Sequence, residues 1–391
     1  MSVASERPSR IEQPDDEYEV TPIELFFDLV FVFAVSQLSH HWLEHMTWRG
    51  AAETVALLLP VLGVWSYTSW TATMIPADQP VTLRMMLSVM LFGLFMNAWL
   101  TRAFAESGWT FVLLFLLIQF GRTVWTIANA PDPMYREHFV RVLIWLIATA
   151  PLWLAGAAAN PERRVLYWGL AAAVDLLGTW LAHPIPRRRL RSEDVGFAGG
   201  HMLERCRLFL LIALGETVLT TGTTISAAPA AIMTVITGTS ALAGAVALWA
   251  LYFGRAEPLA IHHVQRTSNP IRDSRFAMNG LTPIVAGLIA VAVGNEYAIA
   301  HPDEQTTAAL SASLYGGPIL FLLAQAWYLR TVLRVSSRVQ VIGTVALLIL
   351  GFAALAVAAY VALIVAALGL AIVAIVDRSR SDALSEQDRR K

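Results

Sequence analysis

Cysteine and lysine are almost missing from this chain: each occurs once in 391 residues. A single Cys206 rules out an internal disulfide and any metal site built on several thiolates. The one lysine is Lys391, the last residue, so no apolar segment can hold retinal or pyridoxal through a Schiff base. Charge of either sign is scarce, with 15% of residues charged and 56% hydrophobic, whereas a soluble domain carries about a quarter charged residues. No G-x-x-x-x-G-K-[ST] run occurs, so nucleotide-driven transport would need another chain. The opening residues 1–20, "MSVASERPSRIEQPDDEYEV", contain no short apolar core and read as a solvated tail rather than a secretory signal.

What the chain does have is apolar runs of about 20 residues, the length that crosses a bilayer. They recur from Thr21 to Val376, and mean hydropathy is +0.57. The fold class follows: an all-α polytopic membrane protein. Twelve spans are expected, at 21–43, 50–75, 82–105, 107–129, 138–158, 162–183, 200–224, 230–254, 277–298, 307–330, 337–357 and 358–377. The run from Val339 to Val376 has no polar break, which places its turn near Ala358 only by length. With both termini inside, cytoplasmic segments hold 21 basic residues and outer loops hold 4 (Arg49, Arg102, Arg163 and Arg164). That asymmetry is what the positive-inside rule asks of an inner-membrane protein with cytoplasmic ends.

The basic linker 184–199 separates a six-helix set at 21–183 from another at 200–377, with a tail at 378–391. Short matches recur in the same order. "LFLLIQFGR" (Leu114–Arg122) answers "LFLLAQAWYLR" (Leu320–Arg330), and "WSYTSW" (Trp65–Trp70) answers "LWALYF" (Leu248–Phe253). Their common order argues for two parallel six-helix repeats, an architecture of transporters and channels.

Ionisable residues within the spans carry the functional question. In "TPIELFFDLVFVFAVSQLSHHW", Thr21, Pro22 and Glu24 spell a capping box, which accounts for Glu24 as the cap of the first helix. Asp28 stands one turn deeper, about 6 Å along the axis, among Phe26, Phe27, Leu29 and Val30. Capping does not explain it. It faces an aqueous cavity, pairs with an arginine such as Arg205, Arg207 or Arg84, or is protonated. In the seventh span, Glu204, Arg205 and Arg207 cluster at the inner end, and Glu216 lies twelve residues on, about 18 Å further. An ionisable group inside a membrane is a functional candidate by default, and Thr217, Thr220 and Thr221 would line a polar wall beside it. Asp175 is a lone acid that could compensate Arg122. His40, His41 and His45 fall at one face and His201 at the other, about 30 Å of hydrocarbon apart, so no shared metal site is expected.

The runs "PIELFFDLVFVFAVSQLSHH" and "GHMLERCRLFLLIALGETVL" resemble the bacterial low temperature requirement A (LtrA) family, named for a growth phenotype in the cold. The first run is also similar, more distantly, to the first helix of potassium/proton channels marked by an Arg-x-x-x-Phe-Ser-Asp signature. Phe26 and Asp28 match it, while Phe27 replaces its Ser and Pro22 its Arg. That likeness implies a path lined by the first and seventh spans, with an apolar gate at Val32 and Phe33.

The resulting expectation is a channel or transporter for a proton or monovalent cation, with Asp28, Glu216, Glu24, Glu204, Gln37 and Thr217 on its path. Arg205, Arg207, Arg122 and Asp175 would serve structural ion pairs. Expected partners are the bilayer, a small ion or small-molecule substrate and a second copy of the chain; no nucleic acid, cofactor or catalytic group is called for. The alternatives are a membrane-embedded enzyme acting on a lipid or hydrophobic metabolite, and a non-catalytic scaffold.

Overall fold

The computed structural model describes residues 20–105, 108–185, 197–264 and 266–389, with side chains through Arg380. The expected tail at 1–20 and the arginines of the linker at 184–199 lie outside the described residues but for a few edge positions.

Twelve helices make up the described chain: α1 (Pro22–Glu44), α2 (Trp48–Met74), α3 (Pro80–Ala98), α4 (Gly108–Asn129), α5 (Pro133–Ala158) and α6 (Pro161–Leu181), then α7 (Gly199–Ala227), α8 (Ile232–Val264), α9 (Pro270–Ala300), α10 (Ala308–Thr331), α11 (Arg338–Ala354) and α12 (Ala359–Arg389). Their starts are written locally. Proline opens α1, α3, α5, α6 and α9, where a missing N–H leaves no bond unmade. Thr47, Asp132, Asn269 and Thr307 accept an amide N–H at the heads of α2, α5, α9 and α10.

Ten of the twelve are long and apolar enough to cross a bilayer. The other two are α11, at 17 residues, and α6, which carries Glu162, Arg163, Arg164 and Asp175. The number of helices thus matches the expected spans, with three changes of extent. The third span stops at Ala98 and continues as a short tight turn at Leu100–Arg102. The eighth runs on to Val264, and the ninth begins seven residues early, at Pro270. The uncertain last turn falls at Leu355–Ala358. It is pinned by the loop before α10: the Ala359 N–H donates to the Glu304 carbonyl at 2.8 Å, and Gln305 Nε2 donates to the Leu355 carbonyl at 2.8 Å.

Two helices contain one widened turn each, at Tyr252–Ala256 in α8 and Ala312–Gly316 in α10. The first leaves the Leu251 carbonyl to an outside donor, Gln325 Nε2 of α10, at 2.6 Å. Beyond the second, Gly317 lets α10 approach Gly287 of α9 so closely that a Cβ on Gly287 would stand 2.6 Å from the Gly317 carbonyl oxygen. Small residues at such crossings are how membrane helices gain dispersion contacts that hydrophobicity alone does not supply.

Neighbour relations repeat between the halves. Within α1–α6, the packed pairs include α1–α2, α1–α3, α3–α4, α4–α5, α5–α6 and α2–α6; within α7–α12 the corresponding six pairs are all packed. Helix α1 lies against α2, α3, α7 and α9, and so stands where the halves meet. This junction positions the charged side chains described next.

A charged cluster between α1 and α7

One face of α1 turns Glu24 and Asp28 into the protein, where they are 1% and 0% exposed. The residues between them decide this orientation: Phe27 joins the core while Phe26 and Leu29 remain on the surface. Arg205 of α7, also 0% exposed, reaches both acids. Its Nη1 donates to Glu24 Oε1 at 2.8 Å and its Nη2 to Asp28 Oδ1 at 2.5 Å. The guanidinium carbon lies 5.7 Å from the centre of the Phe27 ring.

Each acid has further partners. Glu24 Oε2 accepts from the Thr21 amide at 3.0 Å and hydroxyl at 2.9 Å, completing the capping box, and lies 3.3 Å from His201 Nε2. His201 Nδ1 is 3.0 Å from the Thr73 hydroxyl of α2. Asp28 Oδ1 also accepts from the Trp65 indole of α2 at 2.7 Å, whereas its Oδ2 has no partner. A continuous run of contacts therefore leads from Thr73 and His201, at the end of the bundle where α1 begins, inward to Asp28. His201 is partly accessible, its side chain being 12% exposed, whereas Glu24, Asp28 and Arg205 are not.

The cluster combines two acids with one arginine. Removing charge from water costs several kcal/mol per ion unless it is matched, and here one arginine serves both acids, with the Thr21 donors and His201 beside Glu24 and the Trp65 indole on Asp28 as the remaining partners.

The other expected positions are placed as follows. Of the three arginines open to Asp28, Arg205 is the partner. Arg207 instead pairs with Glu204 of its own helix at 2.8 Å and approaches Glu257 at 3.3 Å, and Arg84 donates to the Pro80 carbonyl. Arg122 and Asp175 do not compensate each other. Arg122 donates to Gln119 and Thr123 and lies over the Tyr67 ring at 4.9 Å, while Asp175 accepts from the Trp153 indole at 3.0 Å. Arg255, expected in a loop, falls inside the lengthened α8 and pairs with Asp377 of α12 at 2.7 Å.

Glu216 is half-buried at the edge of the outward face of α7, next to exposed Gly215 and Leu219. The threonines beside it do not form a polar wall: Thr217, Thr220 and Thr221 all turn their hydroxyls back to carbonyls of their own helix. Gln37 and Phe33 are half-buried, and Val32 is packed in the core, so Val32 and Phe33 do not share one face. His41 is held by Glu53 at 3.1 Å in the corner between α1 and α2.

Two members of the cluster escape sequence reasoning. His201 looks like a candidate metal ligand rather than a partner of Glu24. Trp65 carries a usable signal, since an indole N–H in mid-span has no water and must find an acceptor. Asn97 is similar: it donates from α3 to the Val30 carbonyl at 2.7 Å.

The sequence profile of the family described as bacterial low temperature requirement A protein (LtrA) matches residues 19–375. An uncharacterized protein of Rhizobium meliloti (strain 1021) is 32% identical over 329 residues, covering 83% of this chain and 79% of the relative. No solved structure matches the chain. These matches do not support the likeness to the potassium/proton channels, and with it goes the warrant for a gate at Val32 and Phe33.

Proposed function

We propose, for a chain that belongs to the bacterial low temperature requirement A family, that the α1–α7 cluster is a proton-binding site and that the protein moves protons, alone or with another solute, across the bilayer. The carrying observation is the charge count: Glu24 and Asp28 share one arginine inside a multi-pass membrane protein, and Asp28 Oδ2 is left without a partner. His201 offers the exchange point with water, and Arg205 joins Glu24 to Asp28. Glu216, eleven residues beyond Arg205 and without a hydrogen-bond or ion-pair partner among the described residues, is a second station about 16 Å along α7. A closed cluster of this kind suits a carrier that exposes its site alternately better than a standing pore.

Three related inferences accompany this reading. The two six-helix sets are parallel repeats, which the recurring neighbour pairs support. The membrane is the inner one, with both termini cytoplasmic, as the arginine asymmetry argues. His201 then opens toward the cytoplasm.

The test is ion flux in proteoliposomes, with a pH-sensitive dye and imposed potassium or sodium gradients, for the parent and for Asp28→Asn. Flux in the parent and none in the variant is the expected result. A flux that follows potassium or sodium without proton movement would assign the second charge to a metal cation instead. The rival reading makes the cluster a structural clamp, favoured by the fact that both oxygens of Glu24 are fully engaged. Parent and variant conducting equally, with the variant merely less stable, would establish the clamp.

A further inference from the structure

On the opposite side of α2 from Asp28 lies a cavity of about 150 Å³. It is lined by α2 at Ser66–Met74, α5 at Met134–Phe139, the end of α6 at Thr179–His183 and α9 at Ile271–Asn279. A narrower recess of about 50 Å³ continues from it along α2 and shares Ser66, Tyr67, Thr179, His183, Met278 and Asn279. The sequence singles out none of these residues as a site.

The polar groups of this cavity are under-satisfied in a consistent way. Arg275 has no carboxylate partner among the described residues; its guanidinium lies 5.4 Å from the centre of the Phe276 ring and its Nε is buried without an acceptor. His183 is 3% exposed and its Nε2 lies 2.6 Å from the Tyr67 hydroxyl. Because that hydroxyl has no other acceptor among the described residues, we assign it as the donor to Nε2, which puts the proton of the neutral ring on Nδ1. Nδ1 has no partner among the described residues. Burial, with His138 and Arg275 close by, holds His183 well below its ordinary pKa, so the neutral form is the resident one. Asn279, 7% exposed, bonds Thr179 through one end of its amide and leaves the other end empty. The Nε–H of Arg275 and the Nδ1–H of His183 therefore lack acceptors among the described residues at this cavity. The walls between them are apolar: Trp70, Met74, Phe139, Ile271 and Met278.

We propose that this cavity binds a small monocarboxylate whose apolar body is about the size of one six-membered ring. The carboxylate would supply acceptor oxygens to Arg275 and His183 Nδ1, which are the groups lacking them. Arginine suits the role because its planar fork takes a carboxylate through two parallel bonds. The size follows from volume: an engineered apolar cavity of roughly 150 Å³ takes up benzene, whereas a long acyl chain does not fit. Met278 and Trp70 would cover the body on the faces away from the charge. This site does not depend on the proton-binding reading of the α1–α7 cluster and would stand if Asp28 proved structural.

Equilibrium dialysis of labelled benzoate against the purified full chain in detergent tests it. The expected result is saturable binding of one benzoate per chain, weakened at least tenfold by Arg275→Gln. Ile271→Trp, which fills the cavity without touching the charge, should weaken it similarly and decides the matter if the arginine variant does not fold. Benzamide, the neutral analogue, should compete at least tenfold less well than benzoate. Absence of saturable binding to the parent overturns the proposal. So does equal binding by the parent and the folded variants, or competition by benzamide as strong as by benzoate.

Discussion

At the residue scale the cluster turns on Arg205, whose side chain satisfies two carboxylates 177 and 181 positions away in sequence. Removing one member of a buried ion pair leaves an unmatched charge and costs about 3–5 kcal/mol. Arg205→Met should therefore lower stability by about 3–5 kcal/mol, read as an earlier unfolding transition in detergent. The double variant Glu24→Gln with Arg205→Met should regain part of that loss, because one orphaned acid is neutralised. Asp28→Asn should be milder, since an amide oxygen still accepts from Trp65 and Arg205. If Arg205→Met unfolded like the parent, the three side chains would not be bonded as described. The sequence carried half of this. Thr21 and Glu24 form the capping box that their spacing announces, and the same Glu24 also meets Arg205, so cap and ion pair are one residue with two oxygens. The choice among Arg205, Arg207 and Arg84 was not legible, because all three lie at the same expected depth.

At the element scale the two widened turns show where helices bend to local need. In α8 the turn at Tyr252–Ala256 rotates Arg255 inward toward Asp377 and frees the Leu251 carbonyl for Gln325. Gln325→Leu keeps the volume and removes the donor. The expected cost is about 1–3 kcal/mol, that of one unsatisfied buried polar group, again measured as thermal stability in detergent. A neutral outcome would mean the carbonyl finds water or a helical partner instead. Gln325 falls within the repeat-matched run Leu320–Arg330, but its acceptor is not legible there, because a widened turn leaves no mark in an apolar sequence. The α9–α10 crossing is clearer in origin, since Gly287 and Gly317 stand without side chains where the two backbones approach closely.

At the scale of the whole molecule, orientation is the quantity most open to direct measurement. In a Cys206→Ser background, Asp78→Cys and Glu162→Cys place exposed thiols at opposite ends of the bundle, the first in the loop before α3 and the second in the first turn of α6. With cytoplasmic termini, a membrane-impermeant maleimide should label the Glu162 position in intact cells and the Asp78 position only after permeabilisation. The reverse pattern would invert the protein and turn His201 toward the other compartment. Cys206 itself is buried, and Cys206→Ser replaces its thiol by a hydroxyl of nearly the same size.

Helix number, helix starts and the charge asymmetry were determined by the sequence alone, because each depends on residues a few positions apart: apolar length, a proline at the first turn, a threonine or asparagine before it, arginine beside a span. What each helix faces was decided only by the tertiary structure. In a soluble protein a polar stripe marks the outward side of a helix. Here lipid and core are both apolar, so Phe26 and Phe27 look alike in the sequence although one is exposed and the other buried. The same lack of contrast hid the pairing of Asp28 with Arg205, the separation of Arg122 from Asp175, and the cavity that gathers Arg275 and Asn279 of α9 with His183 at the end of α6. Those arrangements follow from which surfaces pack, and packing between membrane helices rests on shape and buried polar bonds rather than on hydropathy.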